Sequence, residues 1–306
     1  IGSAIVALSS YPQLLNWKID YTMHSGQLWP ESRHVLMTAI YQDHQPIGLY
    51  SHRGYAGFTL AMSAVLSVIA LLSRWLSVRT SLVLTCLYAL TLSFVRVRGA
   101  VLAMLVGWAW LMLTSPSHRV LKRLMIVLAL VGVLSFTWVT TERRVVDAEI
   151  YASTPFHIWL KHFTSDRIYL WQRAWKGIAE RPLIGWGFSG YSIRDAIYSC
   201  PEDSKTVALY DYKILCQQKK RKFLVKAEPT KAHNLPLDLF LSTGLPGLFA
   251  YLVLLVNYMD NSRDPKSFYI PLALTYIVYV MTWYDTAQFS HLIWWLLSSQ
   301  RNQSMM

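Results

Sequence analysis

Apolar residues in this chain are gathered into blocks, and that grouping constrains the fold more than any single motif. Long, nearly charge-free runs occupy 56–73, 80–95, 99–115, 124–140, 236–258 and 267–283, with a shorter one near 288–298. A helix crosses a bilayer core with about 20 residues, and several of these blocks are long enough. Only 15% of the residues are charged, against about 25% in soluble proteins. Thirteen Trp and 18 Tyr fit the aromatic belts at membrane interfaces. The chain therefore reads as all-α, a polytopic transmembrane helical bundle, and not as a globular enzyme with one buried helix.

The formal net charge of +12 would point to nucleic acid in a soluble domain. Here it has a simpler source, because cytoplasmic loops of membrane proteins collect Lys and Arg and the bilayer surface is anionic. No zinc-finger spacing or nucleic-acid module is present, so nucleic acid is not an expected partner and membrane lipids are. Three cysteines exclude a disulfide framework. Cys86 lies in an apolar run. Cys200 and Cys216 share a polar stretch and can pair if that stretch faces an oxidising space, which the sequence leaves open. Residues 1–10 read as the tail of an apolar segment without the basic start of a signal peptide, so a further N-terminal part is expected.

Three parts follow: residues 1–140, a hydrophilic insertion at 141–235, and a second apolar part at 236–306. Basic residues in short loops set orientation. Arg74 with Arg79, and His118, Arg119, Lys122 and Arg123, mark two loops as cytoplasmic. Alternation then places residues 11–55, the 96–98 turn, the large loop and the 284–287 turn outside, and returns the tail with Arg301 to the cytoplasm. No internal repeat is evident.

Within the large loop, Ile168, Trp171, Trp175 and Ile178 recur at helical spacing and predict an amphipathic helix from Asp166 to Glu180. Thr164 or Ser165 can cap it, Arg181-Pro182 ends it, and Gly185-Trp186-Gly187 makes a turn. Such a helix lies on the membrane surface or over the bundle. Residues 200–230 are less regular, and Lys219-Lys220-Arg221-Lys222 reads as a solvated or headgroup-facing patch.

Arg96 and Arg98 occupy a tight turn between two apolar runs, on the side that the positive-inside rule disfavours. A guanidinium near membrane depth costs several kcal/mol, on the order of 3 or more, unless it is paired or faces a wet cavity. Snorkelling would explain both residues structurally; binding an anion would explain them functionally. Gly99 favours Arg98 for the second role, because it allows close approach. Arg53 precedes the first clear span on the same side, and Arg167 opens the amphipathic helix, where Asp166 could simply pair with it. External arginines can grip a diphosphate through paired, charge-assisted hydrogen bonds and keep their charge at any relevant pH. No Asp-x-Asp cluster appears on that side, so a metal-independent mechanism without cofactors is expected. His233 precedes the 236–258 run. An imidazole, with an ordinary pKa near about 6.5, can take a proton from a hydroxyl, although a lone His before a span is more often interfacial. Glu228 or Asp238 could orient it. No Ser-His-Asp triad, Walker A loop, GxGxxG fingerprint or HExxH is present.

His233-Asn234, nine residues and then Gly244-Leu245-Pro246-Gly247 resembles the ligase motif of the bacterial O-antigen ligase and O-antigen polymerase superfamily. Ser165-Asp166-Arg167-Ile168-Tyr169-Leu170-Trp171 and Arg181-Pro182-Leu183-Ile184-Gly185-Trp186-Gly187 resemble its loop signature. Phe94-Val95-Arg96-Val97-Arg98-Gly99-Ala100 resembles its membrane Ser-Arg-Gly segment, with Val97 where Ser is common. The resemblance covers roughly residues 50 to 260. It implies about ten to twelve spans, more than are counted here, and an inverting glycan transfer outside the cytoplasmic membrane. The donor would be a glycan on undecaprenyl diphosphate, and the acceptor a hydroxyl of lipid A–core or of another glycan. Carried over, Arg98 and Arg167 would bind and neutralise the diphosphate, and His233 would activate or position the hydroxyl. Asn234, Arg96 and, by location alone, Arg53 would help bind substrate. The active site would face the periplasm from a bacterial inner membrane.

Within the same chemistry, the alternatives are a polysaccharide polymerase and a protein O-oligosaccharyltransferase. From another class, a transporter for a small anion such as bicarbonate would show broken helices or repeated halves, and the sequence displays neither. A purely structural membrane subunit is the remaining reading.

Overall fold

In a computed structural model, the described residues are 2–14, 46–50, 52–114, 126, 130, 132, 167–197, 200, 205–210, 213–218, 221–226, 231–260, 269–283 and 294. The chain divides into two compact units. One comprises residues 1–149, 259–279 and 286–306, and the other residues 150–258 and 280–285.

The first unit is helical. Its described helices are α1 (Gly2–Leu14), α2 (Arg53–Leu72), α3 (Val78–Val95) and α4 (Arg98–Thr114). A further helix, Tyr269–Val280, is numbered α8 in chain order and belongs to this unit through Tyr279. Helices α2 and α3 follow the predicted runs closely, and each is long and apolar enough to cross a membrane. The predicted spans at 124–140 and 288–298 lie outside the described residues, apart from isolated positions.

Lipid offers no hydrophobic drive between helices, so small residues and hydroxyls set the packing. Gly57 puts α2 against Val97 and Ala100, and a Cβ there would be 3.0 Å from the Val97 side chain. Gly107 of α4 lies against Val65 and Thr275. The Ser67 hydroxyl meets that of Thr85 at 2.7 Å, and the Ser81 hydroxyl donates to the Ser67 carbonyl at 2.7 Å. Such interhelical bonds contribute about 0.6 kcal/mol each on average. Tyr279 donates to the Gly54 carbonyl at 2.7 Å, tying α8 to the start of α2. In the 46–50 segment, the buried Gln13 amide replaces backbone pairing. Its oxygen accepts from Ile47 and Gly48 N–H at 2.9 and 2.8 Å, and its NH₂ donates to the Gly48 carbonyl at 2.7 Å.

The second unit contains α5 (Arg167–Glu180), α6 (Gly190–Ile197), strands β1 (Lys205–Tyr210), β2 (Lys213–Gln218) and β3 (Arg221–Lys226), and most of α7 (Leu235–Asp260). Helix α5 is the predicted amphipathic helix, and it ends where Arg181-Pro182 was expected to end it. Ala174 and Ile178 on its inner face pack with Tyr191, Ala232 and Leu241. Two ion pairs join α5 to α6. Arg173 meets Asp195 at 3.0 Å in the open, and the buried Arg194 meets Glu180 at 2.9 Å.

The all-α expectation holds for the molecule as a mostly helical membrane protein. The large loop adds an antiparallel three-stranded sheet in the order β1-β2-β3, within the stretch that reads as irregular. Register runs from Tyr210↔Lys213 to Lys205↔Gln217, with an irregularity between Thr206 and Ala208, and from Gln218↔Arg221 to Lys213↔Lys226. The strands are six residues each and joined by two-residue connections, so their alternation is short and interrupted by the basic run. Cys216 of the central strand is disulfide-bonded to Cys200.

One expectation is corrected. Helix α7 is not continuous: Gly244, at φ 70 and ψ −169, interrupts it. Pro246 has no N–H for the Ser242 carbonyl, and the Leu245 N–H turns away to the Pro182 carbonyl at 2.8 Å. The carbonyls of Leu241 and Ser242 thus lose their helical partners. They accept instead from the N–H groups of Trp186 and Gly187, both at 2.8 Å. The turn after α5 is stitched into the break, and its backbone satisfies what the break exposes.

Candidate active site

Sequence places Arg167 at the first position of α5, whose first turn carries no acidic residue. A cation at a helix N-terminus opposes the helix dipole, typically at a cost of about 0.3–1 kcal/mol. Its guanidinium lies over the Trp283 ring, 5.2 Å from the centroid. That geometry falls within the roughly 6 Å range of a cation–π contact and returns about 0.5–1 kcal/mol or more. The helix terminus and the guanidinium make one positive locus suited to an anion.

His233 stands just before the Asn234 cap of α7. Its backbone is left-handed, with φ 52, a conformation that costs a non-glycine residue about 1–2 kcal/mol. Both neighbours are fixed. On one side, the buried Ala232 donates its N–H to the Asp238 carboxylate at 2.8 Å. On the other, the Asn234 side-chain oxygen accepts from Leu237 N–H at 3.1 Å and caps α7. Between these anchors the imidazole projects onto Trp283, with ring centroids 4.9 Å apart. Of the two expected orienters, Asp238 acts on the backbone before His233, and Glu228 lies outside the described residues.

The Asn234 amide nitrogen donates to the Met281 carbonyl at 2.9 Å. One side chain thus caps α7 and holds the turn that carries Trp283. Arg167, His233 and Asn234 are therefore assembled around the buried indole of Trp283. Sequence reading missed Trp283, because a Trp at the end of an apolar run looks like belt decoration. It also missed the buried Arg194, whose side chain packs where Gly177 has no Cβ.

Arg53, Arg96 and Arg98 belong to the helical unit. Arg53 and Arg98 open α2 and α4, and Arg96 closes α3 as a left-handed cap with φ 57. The packing of Gly57 on Val97 and Ala100 puts these three positions at one end of that unit. All three side chains are half-buried. Val97 stands at the N-cap of α4, its carbonyl accepting from Ala100 and Val101 N–H, and its side chain is buried against α2.

A membrane protein of apolar helices, with an arginine and a histidine held on one indole in the unit that includes its large loop, is the class that these features define. The sequence model of the O-antigen ligase family matches residues 81–252, more than half of the chain, and the protein belongs to that family. The match includes Arg96, Arg98, Arg167, His233, Asn234 and the Gly244 break, and it ends before Trp283. No curated protein and no solved structure matches the chain.

Proposed function

We propose that the protein is an O-antigen ligase, moving a glycan from undecaprenyl diphosphate to a hydroxyl of lipid A–core, with inversion and without a metal. The observation that carries this reading is the shared seating of Arg167 and His233 on Trp283. Glycan transfer needs an anion-binding group for the leaving diphosphate and a proton acceptor for the incoming hydroxyl. In the proposed step, the acceptor oxygen attacks the anomeric carbon from the face opposite the diphosphate. The bond from that carbon to the diphosphate oxygen breaks, and the electron pair leaves with undecaprenyl diphosphate. His233 takes the hydroxyl proton. Arg167 and Arg98 neutralise the departing charge, which is largest in the transition state. Arg53 and Arg96 contribute to donor binding, and Asn234 serves as a positioning residue.

The Cys200–Cys216 disulfide supports a location outside the cytoplasm for the large loop, since such bonds persist in oxidising spaces. A multi-pass protein of the bacterial inner membrane with its site toward the periplasm fits that. The broken α7 is the one feature expected of a transporter. Its freed carbonyls are taken by Trp186 and Gly187, so the break serves the fold, and anion transport is not favoured.

The test is expression in a bacterium lacking its own ligase, scored by lipopolysaccharide laddering, with His233→Ala, Arg98→Ala and Arg167→Ala beside the parent. A ladder restored by the parent and abolished by each variant at equal protein level is expected. A ladder that persists in His233→Ala would sink the proton-acceptor role. No ladder from a well-expressed parent, together with longer glycans on the lipid carrier, would move the assignment to a polymerase.

A further inference from the structure

The turn between α5 and α6 exposes large apolar side chains that the proposed reaction does not use. Phe188 is 93% exposed, Ile184 77% and Leu183 65%. In water such a cluster is unfavourable and marks an interaction surface. Its neighbours on α7 are equally bare, with Leu245 51% and Phe249 65% exposed. The apolar span of α7 is Leu235–Asn257, of which 17% is buried, so most of its surface is available to lipid.

Hydrogen bonds fix the depth of the turn. About 20 helical residues cross the hydrocarbon, and counting back from Asn257 reaches Asp238. Leu241 and Ser242 lie just inside that boundary, at roughly 5 Å depth with a rise of ~1.5 Å per residue, and Leu245 follows beyond the Gly244 break. Trp186, Gly187 and Pro182 are bonded to the backbone of those three residues, so the turn is held at the same level. Helix α7 satisfies the Trp186 and Gly187 N–H groups and the Pro182 carbonyl, and the Arg181 carbonyl accepts from Gly185 N–H. The remaining backbone of the turn needs water, so it stays near the interface while its side chains reach deeper. Arg181 stacks on Trp186, 4.2 Å from the ring centroid, an Arg–Trp pairing suited to the interface above the apolar tip.

We infer that residues 182–188 form a re-entrant element whose Leu183, Ile184 and Phe188 side chains sit in the acyl-chain region of the bilayer, anchoring the large loop's unit to the membrane. The inference rests on α7 as a membrane span and not on the proposed reaction, so its failure is distinguishable from failure of the ligase assignment.

The test places a nitroxide at Ile184→Cys or Phe188→Cys, each in a Cys86→Ala background, in vesicles of phosphatidylethanolamine and phosphatidylglycerol. Collision with oxygen and with a water-soluble nickel complex is compared with labels at Phe249→Cys and Lys222→Cys. The expected result is high oxygen and low nickel accessibility at both positions, as at Phe249. Nickel accessibility like that at Lys222 would overturn the inference. So would low accessibility to both reagents, meaning a protein-covered face, or a label shielded only when undecaprenyl phosphate is added, meaning a site for the donor tail.

Discussion

Gly244 meets Leu183 backbone to backbone, and a Cβ at Gly244 would overlap the Leu183 carbonyl. The φ 70, ψ −169 conformation is open essentially to glycine alone, at about 1–3 kcal/mol for other residues. Gly244→Ala is therefore expected to lose roughly 3 kcal/mol or more, read as a lower thermal midpoint in detergent. Gly247, three residues along α7, is closely packed as well: a Cβ there would overlap the Thr243 Cβ, which side-chain rotation does not move. Its backbone is helical, so Gly247→Ala is expected to cost less than Gly244→Ala. A Gly244→Ala protein as stable as the parent would contradict the stitched break.

Trp283 is expected to act on catalysis through Arg167 and His233. Trp283→Phe keeps a ring in the buried site and weakens the cation contact, for which indole is the strongest partner. Removing about 1 kcal/mol of positioning lowers transfer about 5-fold, with the thermal midpoint little changed. Initial rates at saturating donor and acceptor measure this. A rate equal to the parent's would show that Trp283 is packing alone.

Much of this arrangement is legible in the sequence, for physical reasons. The α5 stripe, its Arg181-Pro182 end and the apolar blocks follow from periodicity and breakers, which are local signals. The six-residue strands are not legible, because alternation that short cannot be told from a charge-rich loop. The α7 break is hidden for a different reason. Gly244 and Pro246 are visible, but helices tolerate both, and the partner that fills the break lies about 60 residues earlier in the chain. The same holds for Trp283, whose role arises only when three distant segments meet.

Asn234 allows cap and tether to be separated. Asn234→Ala removes the cap, about 1 kcal/mol, and the Met281 bond, about another 1 kcal/mol. Asn234→Asp keeps an oxygen for Leu237 N–H but sets a carboxylate against the Met281 carbonyl. The expected outcome is an Asp variant that retains the helix cap yet loses transfer activity, because the Trp283 turn is released. Thermal midpoints paired with transfer rates test this; full activity in the Asp variant would rule the tether out.

Tyr191 governs alkaline behaviour of the large loop's unit. Burial first, then the Asp195 charge, push its phenol from 10.0 up to about 12. The neutral form is favoured in the fold, so its contribution is complete below pH 10 and is lost as pH rises from 10 toward 12. The loss reaches at most about 3 kcal/mol. Its hydroxyl has no hydrogen-bond partner among the described residues, so Tyr191→Phe is expected to be neutral or slightly stabilising at pH 7. The variant should also unfold less readily than the parent between pH 10 and 12, as followed by near-ultraviolet circular dichroism.

The Cys200–Cys216 bond closes a sequence separation of 16 residues, and a loop of that size stabilises by about 3 kcal/mol in the chain-entropy account. Its partner Cys216 is fully buried in the central strand, so reduction is expected to loosen the sheet before the helices. Protein alkylated without reductant should carry one modified thiol, at Cys86, the free cysteine. Denaturation with reductant should raise that to three, matching the cysteine content. Mass spectrometry of protein quenched in acid at harvest reads the count directly. Three modified thiols before reduction would place the loop in a reducing space, and the periplasmic orientation would have to be reversed.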